Sequence, residues 1–295
     1  MGGRAVSLDT AGMNPLRTAA IQMCSTADVA RNLRVAEALV ARAAAGAAKL
    51  VVLPENFAFL AEREGEKMVI AESLQAPSSG PIASALRDWA VRYGVWIVGG
   101  GLAERTADDA RRAFNTALVI DPRGHEVARY RKVHLFDVDI PGGAVLRESD
   151  ATLPGETPIV VAVDGTRVGL SICYDLRFPE LYRQLAYDMG ADVLLVPAAF
   201  TAHTGKAHWH VLLRARAIEN QAWVVAAAQW GQHNPKRESF GHSMIVDPWG
   251  TVVEELPGQD GMIIADIDSA AAARVRQQMP CRSHAALWRK AATSP

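Results

Sequence analysis

The chain has 295 residues, 49% hydrophobic and 21% charged, with a formal net charge of −1. That mixture builds a packed core and argues against a disordered chain, and the balanced charge supplies no basic face for nucleic acid. Three widely spaced cysteines (Cys24, Cys173, Cys281) without a CxxC pair argue against a disulfide framework or a zinc site and point to a reducing, cytoplasmic setting.

Residues 1–15 read as a loose leader. They hold no apolar signal core, and Val6 stands where a myristoylation pattern needs Ser or Thr. Either Met1 or Met13 could start the native chain. No apolar run reaches the roughly 18 residues that cross a bilayer, so no membrane contact is expected. The stretch RTAAIQM then predicts a strand, and DVARNLRVAEALVARAAAGAAK an amphipathic helix capped by Asp28. LVVLPE predicts a buried strand. GPIASALRDWAVRYG predicts a helix with Pro81 in its first turn and Gly94 at its end. VWIVGGGLAE, FNTALVID and EVARYRKVHL predict strands, the last two joined by the turn DPRG. A polar, glycine-rich stretch follows.

The same grammar then resumes. TPIVVAVDGTRVGLSIC predicts a hairpin turning at Asp164-Gly165, PELYRQLAYDMG a helix, ADVLLVPAAF a strand and KAHWHVLLRARAIENQ a helix. AWVVAAAQW, HSMIVDP, TVVEEL and GMIIADID predict strands, and SAAAARVRQQM a closing helix. The two halves share a layout and no linker separates them. We therefore expect one α/β domain over residues 16–268, two interleaved sheets covered by helices, followed by a C-terminal helix and tail over 269–295. Continuous apolar strands fit sheets buried on both faces, which leaves function to the loops at strand ends.

Four such positions hold candidate groups. Glu55 follows four apolar residues and a proline; it reads either as an exposed loop carboxylate or as a base held at a strand end. Lys132 ends a strand in a chain where only six of 31 basic residues are lysines. It is a solvated strand end or a compact cation for an oxyanion. Cys173 is an inert core residue or a nucleophile, and reactivity requires a base or cation nearby, since the helix opening near Pro179 lies too far along to help. Glu148 alone passes as a surface charge. Together they supply what amide cleavage by a thiol needs: nucleophile, base and oxyanion donor.

The motifs LPENF, YRKVHLFD and CYDLRFPE, in that order, resemble those of the nitrilase superfamily of carbon–nitrogen hydrolases, and the likeness runs from about Leu16 to Asp268. The resemblance implies an α-β-β-α sandwich that associates as a homodimer or homotetramer. It implies Glu55 as general base, Lys132 as oxyanion stabiliser, Cys173 as nucleophile and Glu148, sixteen residues after the lysine, as a second glutamate. The backbone N–H of Tyr174 would be the second oxyanion donor. No metal or organic cofactor is implied.

HLFDVDIPGG, FTAHTGKAHWHVLLRARAIENQ and the HNPKRES…GHS stretch resemble the branch holding ω-amidases and deaminated glutathione amidases. That branch implies a small-molecule amide substrate bearing a carboxylate. Arg177 would hold the 2-oxo acid carboxylate in a bidentate pair, its bland alternative being a surface salt bridge to Asp175 or Glu180. Phe200 and Thr204 would line the pocket. Lys236 and Arg237 could meet a distal carboxylate, or belong to a solvated loop. Nitrile hydrolysis, a non-catalytic binder on the same fold and a redox-sensing thiol are the competing readings. A metal held by His203, His208 and His210 is disfavoured, because His208 and His210 are two apart on a helix and do not share a face.

Overall fold

A computed structural model describes residues 14–74, 80–139 and 145–285. Most of the expected leader, the segment 140–144 and the tail beyond 285 lie outside the described residues. Two mixed sheets face each other. In the first, the order is Gly261–Ile267, Leu16–Gln22, Leu50–Val52, Trp96–Arg105, Ala113–Ile120, Glu126–Arg131, with Thr152–Leu153 added alongside Ala113–Ile120. In the second it is Val252–Leu256, Ser243–Val246, Trp223–Ala226, Val193–Leu195, Thr166–Leu170, Val160–Val163.

Alternation decides which residue meets which layer. In Leu50–Val52, Val51 packs with the helices α1 (Val29–Ala45) and α2 (Pro81–Tyr93), whereas Leu50 and Val52 turn to the second sheet. Both faces are buried, so the strand reads as an unbroken apolar run. The second sheet is covered by α3 (Pro179–Arg183) and α4 (Ala202–Asn220), which contribute Leu181, Tyr182, Trp209 and Leu213 to its core. The result is the α-β-β-α sandwich. The helix α5 (Ser269–Gln278) is tied to the second sheet through Arg276 Nη1 and Asp192 Oδ1 at 2.7 Å.

The local signals act as expected. The Asp28 side chain accepts the Arg31 N–H and caps α1, Pro81 opens α2, and Gly94 ends it at φ 63°. The Asp164-Gly165 turn has φ of 45° and 83°. The helix predicted from Pro179 runs as α-helix to Arg183, then widens to a π-helical turn over Gln184–Asp188. Elements not foreseen include the hairpin Trp230–Asn234/Arg237–Phe240, the ribbon Asp137–Asp139/Val145–Arg147, the short strand Thr152–Leu153 and the 3-10 helix Glu64–Val69.

The two sheets are in close contact where the parallel strands end. A Cβ on Gly100 would lie 2.2 Å from the Leu53 carbonyl oxygen and 2.3 Å from Pro197 Cβ. Only glycine fits there. The strand carrying it shifts register between Gly99 and Leu102, a bulge that re-aims the chain at a strand end. This contact brings the loop after Leu50–Val52 against the loop after Val193–Leu195, and the site sits between them.

Candidate active site

Glu55 leaves the strand Leu50–Val52 through Leu53-Pro54 and is almost fully buried, at 2% exposure. A buried carboxylate needs partners, and it has three. Oε1 accepts from Lys132 Nζ and from Asn115 Nδ2, both at 2.9 Å; Oε2 accepts the Ala199 N–H at 2.9 Å. The bare loop glutamate of the sequence reading is thereby excluded.

Lys132, also 2% exposed, follows the strand Glu126–Arg131 and keeps its backbone in register by donating N–H to the Asn115 carbonyl. Its ammonium donates to Glu55 Oε1 and to both oxygens of Glu148, at 3.0 and 2.8 Å. Burial pushes the lysine down, but the two carboxylates outweigh it and hold it charged well above its usual range. Glu148, in a short 3-10 turn, is fixed in addition by the Phe136 N–H at 2.7 Å. It is buried and not a surface charge.

Cys173 lies three residues beyond the end of the strand Thr166–Leu170, at φ 46°. A cysteine rarely takes this left-handed backbone, and such strain is characteristic of functional turns. Its N–H is held by the Pro197 carbonyl at 2.9 Å, and a 3-10 turn over Cys173–Arg177 starts at once. The thiol and the Glu55 carboxylate lie side by side in the cavity wall. Burial, then the Glu55 charge, push the thiol up well above its usual range, while Lys132 pulls the other way. For Glu55, burial pushes up but Lys132 wins and the group lies below the usual glutamate range. The resting site is therefore a neutral thiol beside an ionised carboxylate and a charged lysine.

One buried residue holds the two halves of this site together. Asp175 Oδ2 accepts from the Ile172 N–H at 2.8 Å and from Tyr130 OH at 2.7 Å. Its Oδ1 accepts the His134 N–H at 3.0 Å and lies 2.7 Å from His134 Nδ1. His134 stacks on Phe178 with ring centroids 3.6 Å apart. Asp175 thus locks the Lys132 loop to the Cys173 turn, and it is not a salt-bridge partner of Arg177.

A cavity enclosing about 560 Å³, mouth included, opens over these groups. Of the residues expected from the sequence, Glu55, Lys132, Glu148, Cys173, Tyr174, Arg177, Phe200, Thr204 and Arg237 all line it. Arg177 is half-buried, its guanidinium 4.9 Å from the Phe200 ring centre and its Nη1 3.2 Å from His208 Nδ1. Among the described residues no carboxylate pairs with it, which removes the salt-bridge alternative to Asp175 or Glu180. Thr204 Oγ1 meets Thr201 Oγ1 at 2.7 Å.

Lys236 does not join them. Its side chain is 70% exposed and pairs with Glu62 at 2.6 Å, because the tight turn between the strands Trp230–Asn234 and Arg237–Phe240 sends neighbouring residues to different sides. Only Arg237 of that pair reaches the cavity.

Among the lining residues that the sequence did not single out, two matter for the charges. Lys67 comes from the 3-10 helix Glu64–Val69 and donates to Thr152 Oγ1 at 2.6 Å. The scarcity of lysine could have marked it. Asn115, inside a strand, carried no local signal, yet its amide reaches Glu55 at 2.9 Å and, at the limit of hydrogen bonding, Glu148 at 3.5 Å. The three helix histidines do not converge either: His208 turns to Arg177, and His210 to Glu255.

The chain is similar to known proteins over most of its length. A family profile described as carbon–nitrogen hydrolase matches residues 17–277 and so runs through most of α5. The deaminated glutathione amidase of Synechocystis sp. is 47% identical over 274 residues, covering 92% of this chain and 98% of that one. The crystal structure of the C. elegans NitFhit protein superposes with a TM-score of 0.85 at 42% identity, over 92% of this chain and 65% of that longer one. An amidase from Nesterenkonia sp. superposes with a TM-score of 0.74 at 26% identity, over 91% of this chain and 98% of that one. A glutamate-to-glutamine variant of that amidase carries the acetamide moiety of fluoroacetamide on its active-site cysteine. The chain belongs to the carbon–nitrogen hydrolase family, within the nitrilase superfamily.

Proposed function

We propose that the protein is a thiol amidase that cleaves deaminated glutathione, the 2-oxo acid form of the tripeptide, to 2-oxoglutarate and cysteinylglycine. The observation that carries this reading is Arg177: a half-buried guanidinium beside the nucleophile, held by rings and a histidine and without a carboxylate partner among the described residues. Leaving a buried cation unpaired is unfavourable unless a ligand supplies the anion. A 2-oxo acid carboxylate fits the guanidinium fork. Lys67 and Arg237 add positive charge for the second carboxylate, on the glycine end. The name carried by relatives such as the Synechocystis enzyme supports the same substrate.

The chemistry follows from the resting charges. The Cys173 sulfur attacks the γ-amide carbonyl carbon as its proton passes to Glu55, so no free thiolate has to persist. Lys132 exchanges one of its bonds to Glu148 for the developing oxyanion. The Tyr174 N–H, in the first turn after the strained cysteine, is the second donor. Glu55 then gives its proton to the leaving amine and the C–N bond breaks, leaving a thioester on Cys173. Glu55 next takes a proton from a water that attacks the thioester, and the acid leaves as the thiol reforms. Glu148 keeps Lys132 charged and aimed throughout.

The test offers the purified protein deaminated glutathione, 2-oxoglutaramate and a simple nitrile, with Cys173→Ala as control, and follows 2-oxoglutarate and ammonia. Fastest turnover of deaminated glutathione with an acyl-enzyme visible by mass spectrometry is expected. Preference for 2-oxoglutaramate would make the protein an ω-amidase, and turnover of the nitrile alone would remove the amidase reading.

A further inference from the structure

A second cluster of chemistry-bearing groups lies apart from the residues that line the cavity. His210 on α4, His242 in the bend between the strands Arg237–Phe240 and Ser243–Val246, and Glu255 on the strand Val252–Leu256 converge on one point. The Glu255 Oε1 oxygen is 2.9 Å from His210 Nε2 and 2.5 Å from His242 Nδ1, and the three donor atoms lie within 4.8 Å of one another. We propose that these three residues form a binding site for a divalent transition-metal ion such as Zn²⁺ or Co²⁺.

The donor set suits that class of ion. Two neutral imidazoles and one carboxylate match borderline metals, whereas Mg²⁺ and Ca²⁺ favour oxygen-only shells. Bonds of about 2.0–2.2 Å place tetrahedral ligand atoms roughly 3.3 Å apart. The present N–O separations thus need to open by less than about 1 Å, within reach of side-chain rotation. With about a quarter to two-fifths of each side chain exposed, water can complete the shell.

The surroundings hold the ligands in place. His242 adopts φ 57°, directly after Gly241 at φ 75°, so its ring is aimed by a left-handed bend that histidine seldom takes. Its carbonyl accepts Trp209 Nε1 at 2.8 Å and its N–H donates to the Pro257 carbonyl at 2.9 Å. Phe240 stacks on His242 at 4.3 Å and meets His210 edge-on at 5.9 Å. Rings preset in this way lose little freedom when a metal binds. The same strand is bonded to the cavity wall, since Phe240 N–H donates to the Phe200 carbonyl at 2.9 Å.

The experiment uses EDTA-treated protein carrying Cys173→Ala, so that the reactive thiol does not compete. It is titrated with Co²⁺, read by visible absorption, and with Zn²⁺, read by calorimetry. One equivalent per chain is expected, with a tetrahedral or five-coordinate Co²⁺ spectrum without a thiolate charge-transfer band. Glu255→Gln, His210→Ala and His242→Asn, the last chosen because asparagine tolerates the left-handed bend, should each weaken binding roughly tenfold or more. His208→Ala should bind as the parent does. Circular dichroism confirms that each variant folds. No uptake by the folded parent at millimolar ion, or uptake unchanged in the Glu255 and His210 variants, overturns the proposal. A thiolate band would place the ion on Cys24, whose sulfur lies 3.6 Å from His233 Nδ1, or on Cys281, and would likewise overturn the proposal.

Discussion

The floor of the cavity and its mouth follow opposite rules. On the floor, Glu55, Lys132 and Glu148 satisfy one another within 3.0 Å, and backbone N–H groups of Phe136 and Ala199 take the remaining carboxylate positions. At the mouth, Arg177 rests on rings and a histidine with no carboxylate partner among the described residues. On the proposed function, the floor is finished before substrate arrives and the mouth is completed by it. Preorganised charge lowers a transition state because nothing has to reorient, whereas an unsatisfied cation selects which molecule enters.

The sharpest way to break this contrast is at the nucleophile. Cys173→Ala should lower amide turnover by about 10⁴-fold or more, and Glu55→Gln by roughly 10²–10⁴-fold, measured as 2-oxoglutarate release. Glu55→Gln should also lower the thiol pKa, because the Glu55 charge, after burial, holds it up. Thiolate absorbance near 240 nm against pH reads this, and an unmoved titration would contradict the assigned charges. The sign for Glu55 itself is that of a depressed carboxyl. Its active, ionised form persists as pH falls past the ordinary glutamate value and is lost only lower still, as pH passes its folded-state value. The stability drawn from the pair with Lys132 is full above the ordinary glutamate value and is lost progressively as pH falls from there to the folded-state value. The acid limb of kcat/KM should accordingly lie below the usual glutamate range; a limb near neutrality would count against it.

Stability separates floor from mouth next. Lys132→Met leaves two carboxylates buried together and should cost about 3–5 kcal/mol in urea unfolding. Arg177→Gln should leave the urea midpoint nearly in place. Equal losses would mean that the mouth is as structural as the floor. In kinetics the order reverses in kind. Arg177→Gln should raise KM for deaminated glutathione roughly 10–100-fold, as expected for a lost charged hydrogen bond, with a smaller change in kcat. The smallest effects belong to Lys67 and Lys236. Lys67→Ala should weaken the tripeptide-derived substrate by less than about tenfold and spare 2-oxoglutaramate, whereas exposed Lys236→Ala should change neither. A KM effect at Lys236 equal to that at Lys67 would return the solvated turn to the site.

What could be read along the chain was whatever is written locally. Apolar runs of four to six residues, Asp28, Pro81, Gly94 and the Asp164-Gly165 turn set most elements, because each acts within a few residues of itself. Three motifs in order named Glu55, Lys132 and Cys173, since strand ends carrying unusual polar residues stand out from apolar surroundings. Asn115 and Asp175 did not stand out. The partners that give them meaning are Glu55, 60 residues away, and Tyr130, 45 residues away.

The sequence by itself determined the two-sheet α/β class, the buried strands and which polar groups were candidates for the chemistry, because hydrophobic period and residue chemistry are local properties. Only the tertiary structure decided the rest. The left-handed backbone at Cys173, the ionisation of the thiol and its neighbours, the exclusion of Lys236 and the meeting of His210 with His242 and Glu255 depend on distances between residues far apart in the chain. Coulomb energy and burial act through space, and one dimension of sequence does not encode that space residue by residue.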